Sequence, residues 1–120
     1  MLTAGSAENF ISLQMEKYGM AALFLGKLCQ LYGIPASQTR LSAALRGQSL
    51  PNEVGQRVRE LVLEITNYVD EMQTPTALVD AVQIKIILDE RRAWKQAVKF
   101  DEDKIRKVLL EPENGTIDTE

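Results

Sequence analysis

The apolar positions repeat at helical spacing almost from end to end, and glycine, proline or small polar residues interrupt them at regular intervals. From Glu8 to about Tyr18, Phe10, Ile11, Leu13 and Met15 suit a helix, with Ser6 or Asn9 near its cap. Gly19 breaks or bends it. Residues 20–32 are denser, with Ala21 to Leu25 running together before Leu28, Leu31 and Tyr32. A helix of this kind is expected to be buried on more than one side, leaving Lys27 and Gln30 on a wet edge. Gly33 stands where a helix C-cap belongs, and Pro35 keeps the helix from continuing.

Residues 37–46 predict a short helix, with Ser37 as N-cap and Gly47 after its end. At 100° per residue Leu41, Ala44 and Leu45 share one side and are expected to pack on the preceding helix. Thr39, Arg40, Ser42, Ala43 and Arg46 face outward or flank that seam, and Gln38 lies on the exposed first turn. Pro51 then suits the first turn of a long helix. Its Val54, Val58, Leu61, Ile65, Tyr68 and Met72 are spaced 4, 3, 4, 3, 4. At 1.5 Å per residue the stretch 51–72 is roughly 33 Å long, more than a small core needs, so the surplus is expected to pack on the last helices or on a second copy.

Residues 73–76 end that helix and form the one internal boundary. Asp80 with Gln83 resembles a capping box before a helix over 81–98. There Val82, Ile86, Ala93 and Ala97 form a row that Ile84, Ile87, Leu88, Trp94 and Val98 widen, and Trp94 reads as core or interface. The alternation at 82, 84, 86 and 88 also fits a strand, though no second strand is available to pair with it. Asp101 is expected to cap a last short helix through Leu110, and the acidic tail from about 112 is expected to be disordered. The class is therefore all-α, with one domain over 1–73 and a helical extension over 74–120 for core completion and dimerisation.

Composition and charge sharpen this picture. The chain carries a formal charge of −3, yet between Lys27 and Arg59 five cations face a single acid, Glu53. The positive charge is concentrated around the short helix. No apolar run reaches the ~18–20 residues of a membrane span, and the one cysteine, Cys29, suits a reducing compartment, so no membrane contact and a cytoplasmic location are expected. With no histidine and one cysteine, His-based nucleophile pairs and the usual metal sites lose their residues. The acids at 89–90 and 101–103 lie beside cations, and no Gly-rich phosphate loop is present. Neither an enzyme nor a bound cofactor is expected.

The run Leu41-Ser42-Ala43-Ala44-Leu45-Arg46-Gly47, with Cys29, Gly33 and Ile34 upstream, resembles the lambda-repressor-like helix-turn-helix of Cro, repressor and XRE-type regulators. The resemblance covers about residues 20–66. Two features depart from the family: the interval from Gly33 to Leu41 is two residues longer, and Leu25 stands where a phosphate-touching polar residue is usual. The resemblance implies base contacts from Gln38, Thr39, Ser42 and Ala43, with Arg40 and Arg46 nearby. It also implies phosphate contacts around Gln48, Ser49 and Asn52, and Lys27 and Arg57 add cations to that side. The function it implies is a sequence-specific transcriptional regulator, a homodimeric repressor on a palindromic operator in double-stranded DNA. The alternative is a protein-interaction module, such as the antitoxin of a toxin pair, since 14 acids face eight cations from Glu60 onward.

Overall fold

The computed structural model describes residues 6–73 and 76–110, with side chains as far as 107. Every regular element among them is helical: α1 (Ala7–Tyr18), α2 (Ala22–Leu31), α3 (Gln38–Leu45), α4 (Asn52–Met72) and α5 (Ala81–Leu110). The stretch 82–88 is therefore helix, not strand. The acidic tail expected to be disordered lies outside the described residues. By compactness the chain divides after Leu88 into two units.

In the first unit one core joins all five helices. Ile11 and Met15 from α1, Leu25, Leu28 and Cys29 from α2, Leu41 and Ala44 from α3, and Val58, Leu61, Val62 and Ile65 from α4 are buried together. Leu78, Ala81, Ile84 and Leu88 are buried in the same core. The 4-3-4-3 seam of α4 is buried from Val54 to Tyr68, whereas Met72 emerges into solvent.

The helix ends follow from local chemistry. The Ser6 hydroxyl accepts the Asn9 N–H at 3.0 Å, and the Asp80 carboxylate accepts the Gln83 N–H at 3.1 Å. Each satisfies one of the amides that a helix start leaves without a partner. At the far end of α2, Gly33 has φ +71°, its N–H donates to the Gln30 carbonyl, and the Ile34 N–H donates to the Cys29 carbonyl. This pair of bonds is a Schellman closure, which needs a left-handed residue and hence favours glycine. Gly47 closes α3 with the same two bonds, Gly47 N–H to Ala44 and Gln48 N–H to Ala43. Gln73 ends α4 with φ 60°.

Three expectations need correction. Leu45 is 42% exposed: at the last turn of an eight-residue helix it passes the edge of the α2 contact instead of entering the core. Asp101 starts no new helix, because α5 is one helix through Leu110 and nothing between Val98 and Asp101 breaks the backbone. Trp94 is 68% exposed and is no core residue of this chain. In the second unit, from Asp89 on, every described side chain is exposed or only partly covered.

Candidate nucleic-acid interface

α3 is held from two sides. Its buried residues Leu41 and Ala44 turn inward, and it packs against α2 and α1. The approach to α2 is set by Gly26: a Cβ built there would lie 2.8 Å from the Gln38 backbone nitrogen and 3.1 Å from its Cα. No side chain fits in that gap, so only glycine lets the first turn of α3 sit this close to the middle of α2. Sequence reasoning gives the small-residue role to Cys29, which is fully buried one turn further on. The signal for Gly26 is a glycine inside an otherwise apolar helix, where it costs stability unless something approaches its backbone.

The start of α3 is fixed by Ser37, whose hydroxyl accepts the Arg40 N–H at 3.2 Å. Ser37→Ala should cost about 1 kcal/mol of stability. Urea denaturation checks this, and a loss under a few tenths would mean that the cap is idle.

The outward side of α3 carries the expected residues. Gln38, Thr39, Arg40 and Arg46 are exposed, Ser42 and Ala43 are partly covered, and no acid interrupts them. Between α2, the turn and the start of α3 runs an open groove of about 690 Å³, edged by Lys27, Gln30, Ser37, Gln38 and Arg40 and floored in part by Leu23, Gly26 and Ile34. The structure thus brings Lys27 together with Gln38 and Arg40. It adds Gln30, which shares the α2 edge with Lys27 at i, i+3 spacing and was legible only as a wet-edge residue. Arg40 donates to the Pro35 carbonyl at 3.4 Å, a length at the weak end for such a bond, so its guanidinium is only loosely held.

The remaining candidates lie elsewhere. The Arg57 guanidinium points at the carbonyls of Tyr32 (3.5 Å) and Gly33 (3.4 Å), where it complements the negative end of α2. Arg59, another cation of the basic stretch, stacks over the Phe10 ring at 4.9 Å. Gln48, Ser49 and Asn52 lie around the start of α4, all three exposed. There the Glu8 carboxylate accepts the Leu50 N–H at 2.7 Å, and Glu53 lies in the first turn of the helix. Two acids thus stand beside the amides that a phosphate would seek. Leu25 is fully buried.

Behind this surface Cys29 is sealed in the core. Burial pushes its thiol up to about 12, with the Arg57 charge pulling weakly the other way. A thiol raised in the folded state favours that state while protonated. That contribution is complete below the ordinary thiol pKa and is lost as pH climbs from there towards about 12. At a pH of about 8 a thiol reagent should therefore label the native chain far more slowly than the urea-unfolded chain; equal rates would contradict this burial.

Among the described residues no group of three or more His, Cys, Asp or Glu side chains could hold a metal ion, and no helix is long and apolar enough to cross a membrane. Comparison with family models, with curated proteins and with solved structures finds no match to this chain.

Proposed function

We propose that this protein is a sequence-specific DNA-binding regulator that presents α3 to the major groove and works as a homodimer on a two-fold operator. The observation that carries this is the outward face of α3. It is a short, rigidly seated helix whose exposed side holds Gln38, Thr39, Arg40 and Arg46 and no carboxylate, in a chain of net negative charge. Gln and Arg can make paired hydrogen bonds to adenine and guanine edges, while a carboxylate there would repel the backbone phosphates. The turn before α3 and the glycine-mediated contact with α2 support a lambda-repressor-like helix-turn-helix, with α4 as its long fourth helix. Lys27 and Gln30, on the rim of the same groove, are placed to reach the phosphate backbone. We put the weight of phosphate binding on these residues and on α3, since Glu8 and Glu53 oppose it at the start of α4.

Selection of bound sequences from a random duplex pool tests this directly. The expected outcome is one enriched motif with two-fold related halves about one helical turn, ~34 Å, apart. A pool no richer in any motif than a mock selection would remove the reading. A second reading, a protein-interaction module or antitoxin, is favoured by one observation, the exposed apolar side chains of α5. A partner that co-purifies in fixed ratio with the chain would support it.

A further inference from the structure

The groove between α2 and α3 is more than a row of cations. Lys27 and Arg40 bring positive charge to its rim, and Gln30, Ser37 and Gln38 bring hydrogen-bond donors. Phosphate oxygens of a duplex can use both. The floor is different: Leu23, Ile34 and Pro35 are hydrocarbon, and Leu23 stands 50% exposed to water. A phosphate held on the rim leaves that hydrocarbon wet, so DNA alone does not account for the groove. At about 690 Å³ it has the volume of a small-molecule site, in which apolar walls carry a few polar groups that fix orientation.

The charges select the kind of molecule that fits. No acid lines the groove. Lys27 makes no ion pair or hydrogen bond with any described residue, and Arg40 makes only the 3.4 Å bond to Pro35. Asp80 lies across Lys27 in a neighbouring groove, where its carboxylate accepts the Gln83 N–H at 3.1 Å. A cationic occupant would be repelled, and a neutral one would leave both charges unused. An organic anion with an apolar body satisfies both halves of the groove. Its carboxylate meets Lys27 and Arg40, and its hydrocarbon covers Leu23 and Pro35.

We propose that the α2–α3 groove binds a small organic carboxylate with an apolar body, clasped at its head by Lys27 and Arg40. Such a ligand takes the cations assigned above to DNA, so it displaces the duplex and acts as an effector. The binding site stands without DNA; only the competition rests on the regulator reading.

The test is an NMR titration of the full isotope-labelled chain with octanoate, a carboxylate with a short hydrocarbon body. Saturable shifts are expected at the amides of Lys27, Gly33, Ile34 and Gln38. Octanol, which lacks the charge, and acetate, which lacks the body, should each bind at least about tenfold more weakly. Lys27→Glu with Arg40→Glu should weaken octanoate by at least the same factor, and Leu23→Ser should weaken octanoate without touching the cations. These side chains are exposed, so the melting temperature should stay as in wild type. Shifts confined to the region of Trp94 and Phe100 would overturn the proposal, as would octanol binding as tightly as octanoate. Inorganic phosphate moving the groove amides as strongly as octanoate would also overturn it, leaving the cations as DNA contacts alone. Adding octanoate to the chain on its selected duplex separates the two claims. Saturating octanoate should weaken the duplex at least tenfold, and a chain that holds both at once would overturn the effector role. A chain that binds octanoate in the groove but no duplex keeps this site and removes the regulator reading. One that binds duplex with no octanoate shift does the reverse.

Discussion

Gly26→Ala is expected to destabilise the folded chain by about 1–3 kcal/mol, the usual cost of forcing atoms into a filled space. The sign is the informative part. In an ordinary helix interior the same change stabilises by roughly 0.5–1 kcal/mol, because glycine has more backbone freedom to lose on folding. Here the added methyl would lie 2.8 Å from the Gln38 backbone nitrogen, and backbone cannot swing aside as a flexible side chain would. Either α3 moves away from α2 or the helix bends. Gly55 provides the internal control, since a methyl there would meet the Ala7 Cβ at 3.4 Å, close to ordinary contact. Gly55→Ala should stay within roughly 1 kcal/mol of wild type. Urea denaturation of the two variants reads the difference, and equal stabilities would show that α3 does not press on the α2 backbone. Because the displaced element is α3, Gly26→Ala is also expected to weaken DNA binding even where most of the chain remains folded.

The second large effect concerns DNA itself. Arg40→Glu together with Arg46→Glu should lower affinity for the selected duplex by at least about 30-fold, taking about 1–3 kcal/mol for each arginine removed and about 1.4 kcal/mol per tenfold. Both side chains are exposed, and Arg40 makes only the 3.4 Å bond to Pro35, so stability should change little. Fluorescence anisotropy with a labelled duplex, alongside a thermal melt, separates a weakened interface from a weakened fold. A doubly reversed variant that binds as wild type would take α3 out of the interface.

Much of the scaffold was legible in the residues, for local reasons. Gly33 with Pro35, Ser37 and Gly47 bound the short helix because glycine tolerates a left-handed backbone, proline forbids continuation, and a serine hydroxyl caps free amides. The 4-3-4-3 spacing in α4 announced a long buried seam, and it is buried from Val54 to Tyr68. What stayed hidden depends on residues far apart in the chain. Arg57 reads as one more cation of a basic stretch, and only the fold brings it to the end of α2, 24 residues before it. Gly26 reads as a weak point in a helix until α3 is laid against it. Asp101 has the chemistry of a helix cap, yet that chemistry begins a helix only where the preceding backbone has left one. Trp94 reads as core or interface by its size, and its surroundings within one chain leave it open.

The same distinction applies to the candidate site. Gln38, Thr39, Arg40 and Arg46 could be named from wheel position and the lack of acids. The groove that joins Gln38 and Arg40 to Lys27 and Gln30 requires the α2–α3 packing angle, which spacing alone does not give. The acids beside the α4 start were equally out of view, since Glu8 reaches it from 42 residues away.

The most direct measurement is the affinity of the full chain for its selected duplex as a function of salt. Lys27, Arg40 and Arg46, assisted by Gln38, should engage about three phosphates per chain, so log K should fall against log salt with a slope near about −3 for each bound chain, at about 0.9 per phosphate. The Arg40→Glu, Arg46→Glu variant should flatten that slope by about two. An affinity that does not respond to salt, or a slope that the variant leaves unchanged, would contradict the placing of DNA on α3.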